Sequence, residues 1–527
     1  MVAKIQISDP KRPDCPQCGR PMARKGGAES GKKRYKCVRC KTSSTRVKGE
    51  AINDGYSRDA AAANAERLRS AIKGGLRRVV VTSAQNNTRV HSQFLQSLLT
   101  YCEANEAELV VIPVHYKNVS LYTAAQEYNK WWAKPLQPYL VDENIYLGGR
   151  VEIAADTKIA ATAANPLSGL QEVGGDRWQI IGHGQTAMVP VAAPVGEVPK
   201  RLYTTGSVTV RNYSRTKDGK KAEFHHTTGA VVIEIPRARD HAFVRQLGYG
   251  RGGIYDIAGG ELRCYSPGGV TTGHRALALT TGDEHVKFHD KGVFKATYGR
   301  GGLCDILRPQ YLVRHDVLDG HAGSHHHERD PLVQFRKHHS GDNCYRRELD
   351  EVVRFLNETT PSDCTNVLVD SNHHDHLQQW LNRADANKDH QNALLIAELQ
   401  RAQREAILEG RDARPLRLYC DGRLDVPVKW LDRAQPFLID GVDYSQHGDV
   451  GVNGARGSAA AIARAVHKSV IGHSHSAQII KGAYQVGKST GRLEYERGLS
   501  THSQTHCVQY PNGRRSLLDI FNGSHGI

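Results

Sequence analysis

Five short motifs follow one another between Asp283 and His475: Asp283-x-His285, His315-Asp316, Asn372-His373, His447-Gly448 and Gly472-His473-x-His475. Seven of their side chains, Asp283, His285, Asp316, Asn372, His447, His473 and His475, combine carboxylate, imidazole and amide oxygen. These are donor types that divalent ions such as Mn, Fe or Zn accept. Two such ions roughly 3.5–4 Å apart can neutralise a phosphate, activate water near neutral pH and stabilise a leaving oxygen. His373 is the imidazole left over to carry a proton. The chain holds 27 histidines, so any one of these motifs arises readily without a site. Five in succession, each in the same structural context, do not.

That context is an apolar run that reads as a buried strand. Leu277–Thr281 precedes Asp283, Tyr311–Val313 precedes Asp316, and Asn366–Val369 precedes Asn372. Pro436–Ile439 lies upstream of His447, and Val470-Ile471 precedes Gly472. Helical spacing over Arg346–Leu356 and Leu377–Leu381 separates several of these runs. The pattern is that of an α/β fold whose strands end in loops at one sheet edge, where such folds collect their sites.

The order of the motifs resembles the calcineurin-like metallophosphoesterase superfamily, over about residues 276–527. The resemblance implies a two-sheet α/β sandwich with helices outside and two divalent ions, Mn foremost, between the sheet edges. It implies that Asp283, His285 and His475 hold one ion, that Asn372, His447 and His473 hold the other, and that Asp316 bridges them. Asp316 and His373 are then the catalytic residues, with His373 protonating the leaving oxygen or orienting the phosphate. Two departures stand out. His315-Asp316 replaces the family's Gly-Asp, and Ser371-Asn372-His373-His374-Asp375 replaces Gly-Asn-His followed by an acid. The ligands survive both changes, but the group that orients His373 must be Asp375 or another carboxylate.

Cys15-Pro16-Gln17-Cys18 and Cys37-Val38-Arg39-Cys40 make C-x2-C-x18-C-x2-C, the spacing of a four-thiolate structural zinc site. A module this small needs its metal to fold. It resembles the zinc ribbons at the front of some transposase and phage DNA-binding proteins. Between Lys4 and Lys48 fourteen Lys and Arg face three acids, a balance that gives salt-sensitive phosphate binding. The net charge of +16 also points to a polyanionic partner, a merely soluble basic protein being the plainer reading. The seven cysteines outside the zinc set are scattered and read as reduced thiols. Met1–Asp9 has no apolar core of a signal peptide, and no run is long enough to span a bilayer. A cytoplasmic location is expected, the host cytoplasm if the protein is phage-encoded.

A length of 527 residues asks for several units: a zinc ribbon over 1–50, a helical connector over 51–76, a second α/β domain over 77–275 and the phosphoesterase-like domain over 276–527. Ser57–Ile72 is alanine-rich and reads as a helix ended by Gly74-Gly75. Arg77–Thr82, the face Phe94, Leu95, Leu98, Leu99 and Cys102, and Glu108–Pro113 spell a β-α-β unit. Its turn Ser83–Thr88 sits where a phosphate can bind, but it lacks the lysine and glycines of a P-loop and reads as a structural cap. Residues 142–269 read as mixed β structure with no assignable chemistry. Ala386–Leu408 reads as a packed or surface helix, and the tail from Arg492 as completing a sheet with Val508–Tyr510 and Ser516–Phe521. His325-His326-His327 and His338-His339 read as solvated loop residues.

The expected function is a metal-dependent DNA phosphodiesterase, a nuclease in which the ribbon and basic surface hold the polymer while the dinuclear site cuts it. The chain is also similar to the DNA-transfer and DNA-degradation proteins of T5-like bacteriophages, which join an N-terminal region to this type of phosphoesterase. A phosphatase or phosphodiesterase on other substrates would use the same ligands, and RNA could replace DNA. A DNA-binding regulatory protein with a silent site is the alternative of a different class. The subunit number is open, a dimer included.

Overall fold

The computed structural model describes residues 20–27, 33–39, 43–46, 57–116, 132–236, 241–324, 327–494 and 496–526. Among these residues two layers of strands share the largest core. One layer is a mixed sheet in the order Leu438–Ile439, Val442–Asp443, Ser469–Ile471, Ala483–Gln485, Gln478–Ile480, Met188–Val191, Lys200–Thr204, Trp178–Ile181, Val151–Ile153 and Ile145–Gly148. The other layer is two sheets set edge to edge. The first runs Val428–Trp430, Thr365–Leu368, Tyr311–Arg314, Ala278–Thr280, Thr505–Gln509 and Arg515–Asp519; the second runs Phe243–Gly248, Gly229–Glu234, Arg78–Gln85 and Ala107–Val114. Gln246 joins their facing edges. Its backbone N–H donates to Ser516 Oγ at 2.9 Å, and its Oε1 accepts from the Leu517 N–H at 2.8 Å.

Period-two alternation assigns the faces. Val79, Val81, Val231, Ile233, Ala278, Val313, Val367, Cys507 and Leu517 join Ile153, Ile180, Tyr203, Val470 and Ile479 of the opposite sheet in one core. Their chain neighbours turn outward. Val80, Ala230 and Val232 pack with helix Ser92–Ala104, and Leu279, Leu312, Val508 and Leu518 with helices Lys291–Tyr298 and Leu303–Leu307. Leu368 lies in a third cluster with helices Tyr345–Thr359, Asn372–Arg383, Ala393–Leu408 and Pro415–Cys420. Each buried Val, Leu or Ile contributes roughly 1.5–3 kcal/mol, which is what fixes strands only three residues long, such as Ala278–Thr280 and Ser469–Ile471. The protein is thus a mixed α/β structure.

Residues 77–275 and 276–527 do not keep separate cores. Met188 pairs with Ile479 within one sheet, so strands from both sides of residue 275 form a single layer. The β-α-β unit is present as Arg78–Gln85, Ser92–Ala104 and Ala107–Val114, with the strands parallel. Some of the turn's polar groups bond within the fold: the Gln85 N–H donates to Thr209 Oγ1 at 2.9 Å, and Asn86 Oδ1 accepts from the Tyr116 N–H at 2.6 Å, while the buried Gln85 side-chain amide has no hydrogen-bond partner. The helix itself is capped by His91 Nδ1, which accepts from the Phe94 N–H at 3.3 Å. The alanine-rich helix spans Arg58–Lys73, with Ser57 Oγ accepting from the Ala60 N–H at 3.2 Å. The helix expected from Ala386 begins only at Ala393. Asp385 and Asp389 accept the backbone N–H groups of Asn387 and Asn392 at 3.0 and 3.2 Å, local bonds that compete with helix.

At the N-terminus, strands Ala23–Gly27, Lys33–Lys36 and Ser43–Arg46 pair antiparallel, and Met22, Tyr35 and Cys37 bury one another. Cys15, Cys18 and Cys40 of the expected zinc set lie outside the described residues, as do His325 and His326. No helix among the described residues is long and apolar enough to cross a membrane.

Candidate metal centre

Strands Ala278–Thr280, Tyr311–Arg314, Thr365–Leu368 and Val428–Trp430 run parallel, so Asp283, Asp316 and Asn372 leave the same edge of their sheet. Asn372 opens helix Asn372–Arg383, whose cap Ser371 Oγ accepts from the His374 N–H at 3.4 Å. In the facing layer Val442–Asp443 and Ser469–Ile471 are also parallel, and they deliver His447, His473 and His475. The chain bends sharply at these exits. His285, Asp316, His473 and His475 have φ of 38°, 48°, 76° and 57°, in the left-handed region that costs a bulky residue about 1–3 kcal/mol. Backbone bonds hold the bends in place: the His285 N–H donates to the Asp316 carbonyl at 2.7 Å and the Asp283 N–H to the Gly487 carbonyl at 3.0 Å. Gly472 is required by close approach, since a Cβ there would lie 2.1 Å from Asp283 Oδ1.

All seven expected ligands come together. In one half of the centre, His475 Nε2 stands 3.4 Å from Asp283 Oδ2 and 3.0 Å from His285 Nε2, which is 3.7 Å from Asp316 Oδ2. One donor atom from each of Asp283, His285, Asp316 and His475 lies within 4.8 Å of the others, and all four residues are buried. In the other half, His447 Nε2 is 3.2 Å from the same Asp316 Oδ2, Asn372 Oδ1 is 3.2 Å from His473 Nδ1, and the His447 and His473 rings are 5.2 Å apart. Asp316 therefore faces both halves. Asn372 and His473 are only half-buried, so this second half is the side open to solvent.

These residues fit divalent ions. Asp283 Oδ1, both oxygens of Asp316 and His447 Nε2 are buried without a hydrogen-bond partner. A buried carboxylate left so costs several kcal/mol, a cost that an adjoining cation removes. Burial and the nearby Asp316 push the Asp283 carboxyl up. Burial is outweighed at His285, where Asp319 and Asp316 lift the imidazole to about 9. Burial and His285 hold His475 well below its ordinary value, leaving a neutral ring with a lone pair to offer.

The surrounding groups were less legible. Asp319 Oδ1 lies 2.9 Å from His285 Nδ1, placing the proton there and leaving Nε2 for an ion. The Asp319 carbonyl accepts from His373 Nδ1–H at 2.8 Å. Asp319, rather than Asp375, is thus the residue that orients His373; Asp375 instead meets Arg433 Nη2 at 3.1 Å. The loop carrying Asp319 is anchored by Glu348, whose carboxylate accepts the N–H groups of Gly320, His321 and Ala322 at 2.7, 3.1 and 2.9 Å. His315, in place of the family's glycine, packs its Nδ1 3.2 Å from His447 Nδ1. Glu284, buried between Asp283 and His285, is held by His289 Nε2 at 2.8 Å and Arg314 Nη1 at 3.2 Å. His338 and His339 are exposed as expected but lie on helix Pro331–Ser340 rather than in a loop, and His339 stacks on Phe335.

No family model matches the chain. No solved structure matches it either. Over 465 residues, 85% of its own length and 82% of the relative's, the chain is 32% identical to protein A1 of Escherichia phage T5. On a match of that extent and identity, this phage-related chain belongs to the family of phage T5 protein A1.

Proposed function

We propose that the protein is a metal-dependent DNA phosphodiesterase of the calcineurin-like metallophosphoesterase type, acting on DNA in the host cytoplasm. The observation that carries this reading is the convergence of Asp283, His285, Asp316 and His475 in a buried cluster beside Asn372, His447 and His473, with carboxylate oxygens that have no hydrogen-bond donor. When bound, a pair of divalent ions, Mn foremost, would supply charge for the phosphate and an activated water.

The chain's own residues account for the rest. Because the Asp319 carbonyl can only accept, His373 carries a proton on Nδ1, so Nε2 has a proton to pass to the leaving oxygen only when the ring is doubly protonated, a state that burial disfavours and the nearby Asp316 favours. The His373 side chain is 19% exposed, which lets a substrate reach it. The half-buried Asn372 and His473 mark the side from which a strand enters. A zinc ribbon built on Cys15, Cys18, Cys37 and Cys40, together with the net charge of +16, supplies sequence-independent attraction for the polymer.

End-labelled linear DNA, circular DNA and a phosphoprotein, each incubated with Mn, Mg or Zn, test this reading. DNA cleavage is expected, abolished in Asp316→Ala and His373→Ala while DNA binding persists. Hydrolysis of the phosphoprotein alone, or full activity in both variants, would count against it.

A further inference from the structure

Strand Ser469–Ile471 connects two places. Beyond its C-terminal end lie His473 and His475; before its N-terminal end lie His467 and Lys468, which border a cavity of about 330 Å³. At about 3.3 Å per residue, Lys468 and His473 lie at opposite ends of this strand, at most roughly 17 Å apart. The cavity is therefore distinct from the metal centre.

Its lining, among the described residues, contains no carboxylate but four cations, Lys468, Lys481, Arg514 and Arg515. Arg515 Nη1 donates to the Ser469 carbonyl at 2.7 Å and its guanidinium lies 4.2 Å over the Tyr484 ring, while Arg514 Nε donates to the Tyr249 carbonyl at 2.7 Å. Among the described residues none of these four cations pairs with an acid, and Asp440, whose Oδ2 would lie 2.4 Å from a Cβ on Gly513 of the lining, is engaged by Arg251 at 2.8 Å. The nearest acid on the adjoining helix, Glu223, is already engaged by Arg20 at 2.8 Å. Gln246 adds a neutral donor. Its Oε1 accepts from the Leu517 N–H, which fixes the amide, and its buried Nε2 has no partner. Such a wall is made for an acceptor-rich anion.

Two backbone outliers border the same space. His467 has φ 63° and ψ −48°, with the Lys468 N–H donating to the Val466 carbonyl at 2.7 Å, a rare and strained γ-turn. Lys481 has φ 58° in the tight turn between strands Gln478–Ile480 and Ala483–Gln485. The turns interlock: a Cβ on Gly482 would fall 1.6 Å from the His467 carbonyl oxygen. Strain of this kind collects at ligand sites. Phe224, on helix Lys217–His225, stands over the rim 66% exposed, its ring 5.0 Å from His225 and 5.8 Å from His467.

We propose that this cavity is a second, non-catalytic site for a nucleotide, with the phosphate between Lys468, Lys481 and Arg514 and the base against Phe224. Cations without acids select the phosphate, an exposed aromatic ring selects a flat base, and the volume exceeds what a phosphate alone would fill. The nucleotide could be free or one unit of a single DNA strand.

The test uses the full chain carrying Asp316→Asn, so that binding is read without cleavage and stands or falls independently of the hydrolytic reading. Binding of dAMP and of inorganic phosphate is followed by calorimetry, and binding of a fluorescent single strand of about ten nucleotides by anisotropy. Lys481→Gly keeps the left-handed turn while removing the charge, so its melting temperature should not fall. It is expected to weaken dAMP about tenfold, and Phe224→Ala to weaken dAMP but not phosphate. If the labelled strand is weakened as well and dAMP displaces it, the ligand is a unit of the strand; if only dAMP responds, it is a free nucleotide. Absence of binding by both nucleotide and strand, or wild-type affinity for both in the two variants, would overturn the proposal.

Discussion

Asp316 is where the two halves of the candidate metal centre meet, and both its oxygens are buried without a hydrogen-bond partner. In the wild-type protein Mn should raise the melting temperature, since a ligand at a hundred times its dissociation constant stabilises the native state by about 2.7 kcal/mol. In Asp316→Asn that rise should largely vanish, and a variant that keeps the full rise would place the ions elsewhere. Asp319 acts through others. Asp319→Asn should lower metal affinity or DNA hydrolysis by about 10–100-fold while leaving the melting temperature without added metal nearly unchanged. Wild-type turnover in that variant would remove Asp319 from its positioning role. The clustering of the candidate ligands was legible because metal chemistry restricts such residues to a few types in short motifs. Asp319 was not, because a lone carboxylate in a loop carries no pattern until folding sets it 2.9 Å from His285.

The strands ahead of each ligand were also legible, since an apolar run such as Tyr311–Val313 needs burial on both faces and has few other fates. Which strands pair was not. Met188 and Ile479 are neighbours through tertiary packing that no local pattern encodes, and the shared sheet erased the separation expected at residue 275. The layers carry buried charge as well. Arg245 Nε meets Asp256 Oδ1 at 2.7 Å and its Nη1 meets Glu234 Oε2 at 2.8 Å, all three residues buried. Burial would raise the Glu234 carboxyl, but Arg245 and Arg78 outweigh it and hold Glu234 at about 2, against an ordinary 4.5. The unfolded chain then binds this proton at higher pH than the folded one. The contribution, about 3 kcal/mol, is complete above pH of about 4.5 and is lost as pH falls towards 2. Urea midpoints compared at neutral and acid pH should show the loss. Arg245→Met, which leaves Glu234 only Arg78 and Asp256 only the Tyr101 hydroxyl, should cost about 3 kcal/mol already at neutral pH. An unchanged midpoint would show that the cluster does not hold these layers.

At the scale of the whole molecule, the charge of +16 and the proposed nuclease reading make DNA affinity a function of salt. With six to ten phosphate contacts, binding should fall about 10³–10⁵-fold between roughly 50 and 200 mM salt, measured by anisotropy on DNA of unrelated sequences. Affinity indifferent to salt would exclude the polymer as partner. The account depends most on the cations themselves, and anomalous scattering from crystals equilibrated with Mn addresses them directly. Two peaks roughly 3.5–4 Å apart are expected, one beside Asp283, His285 and His475, the other beside Asn372, His447 and His473, with Asp316 touching both. A map with no Mn among these seven side chains would contradict the account.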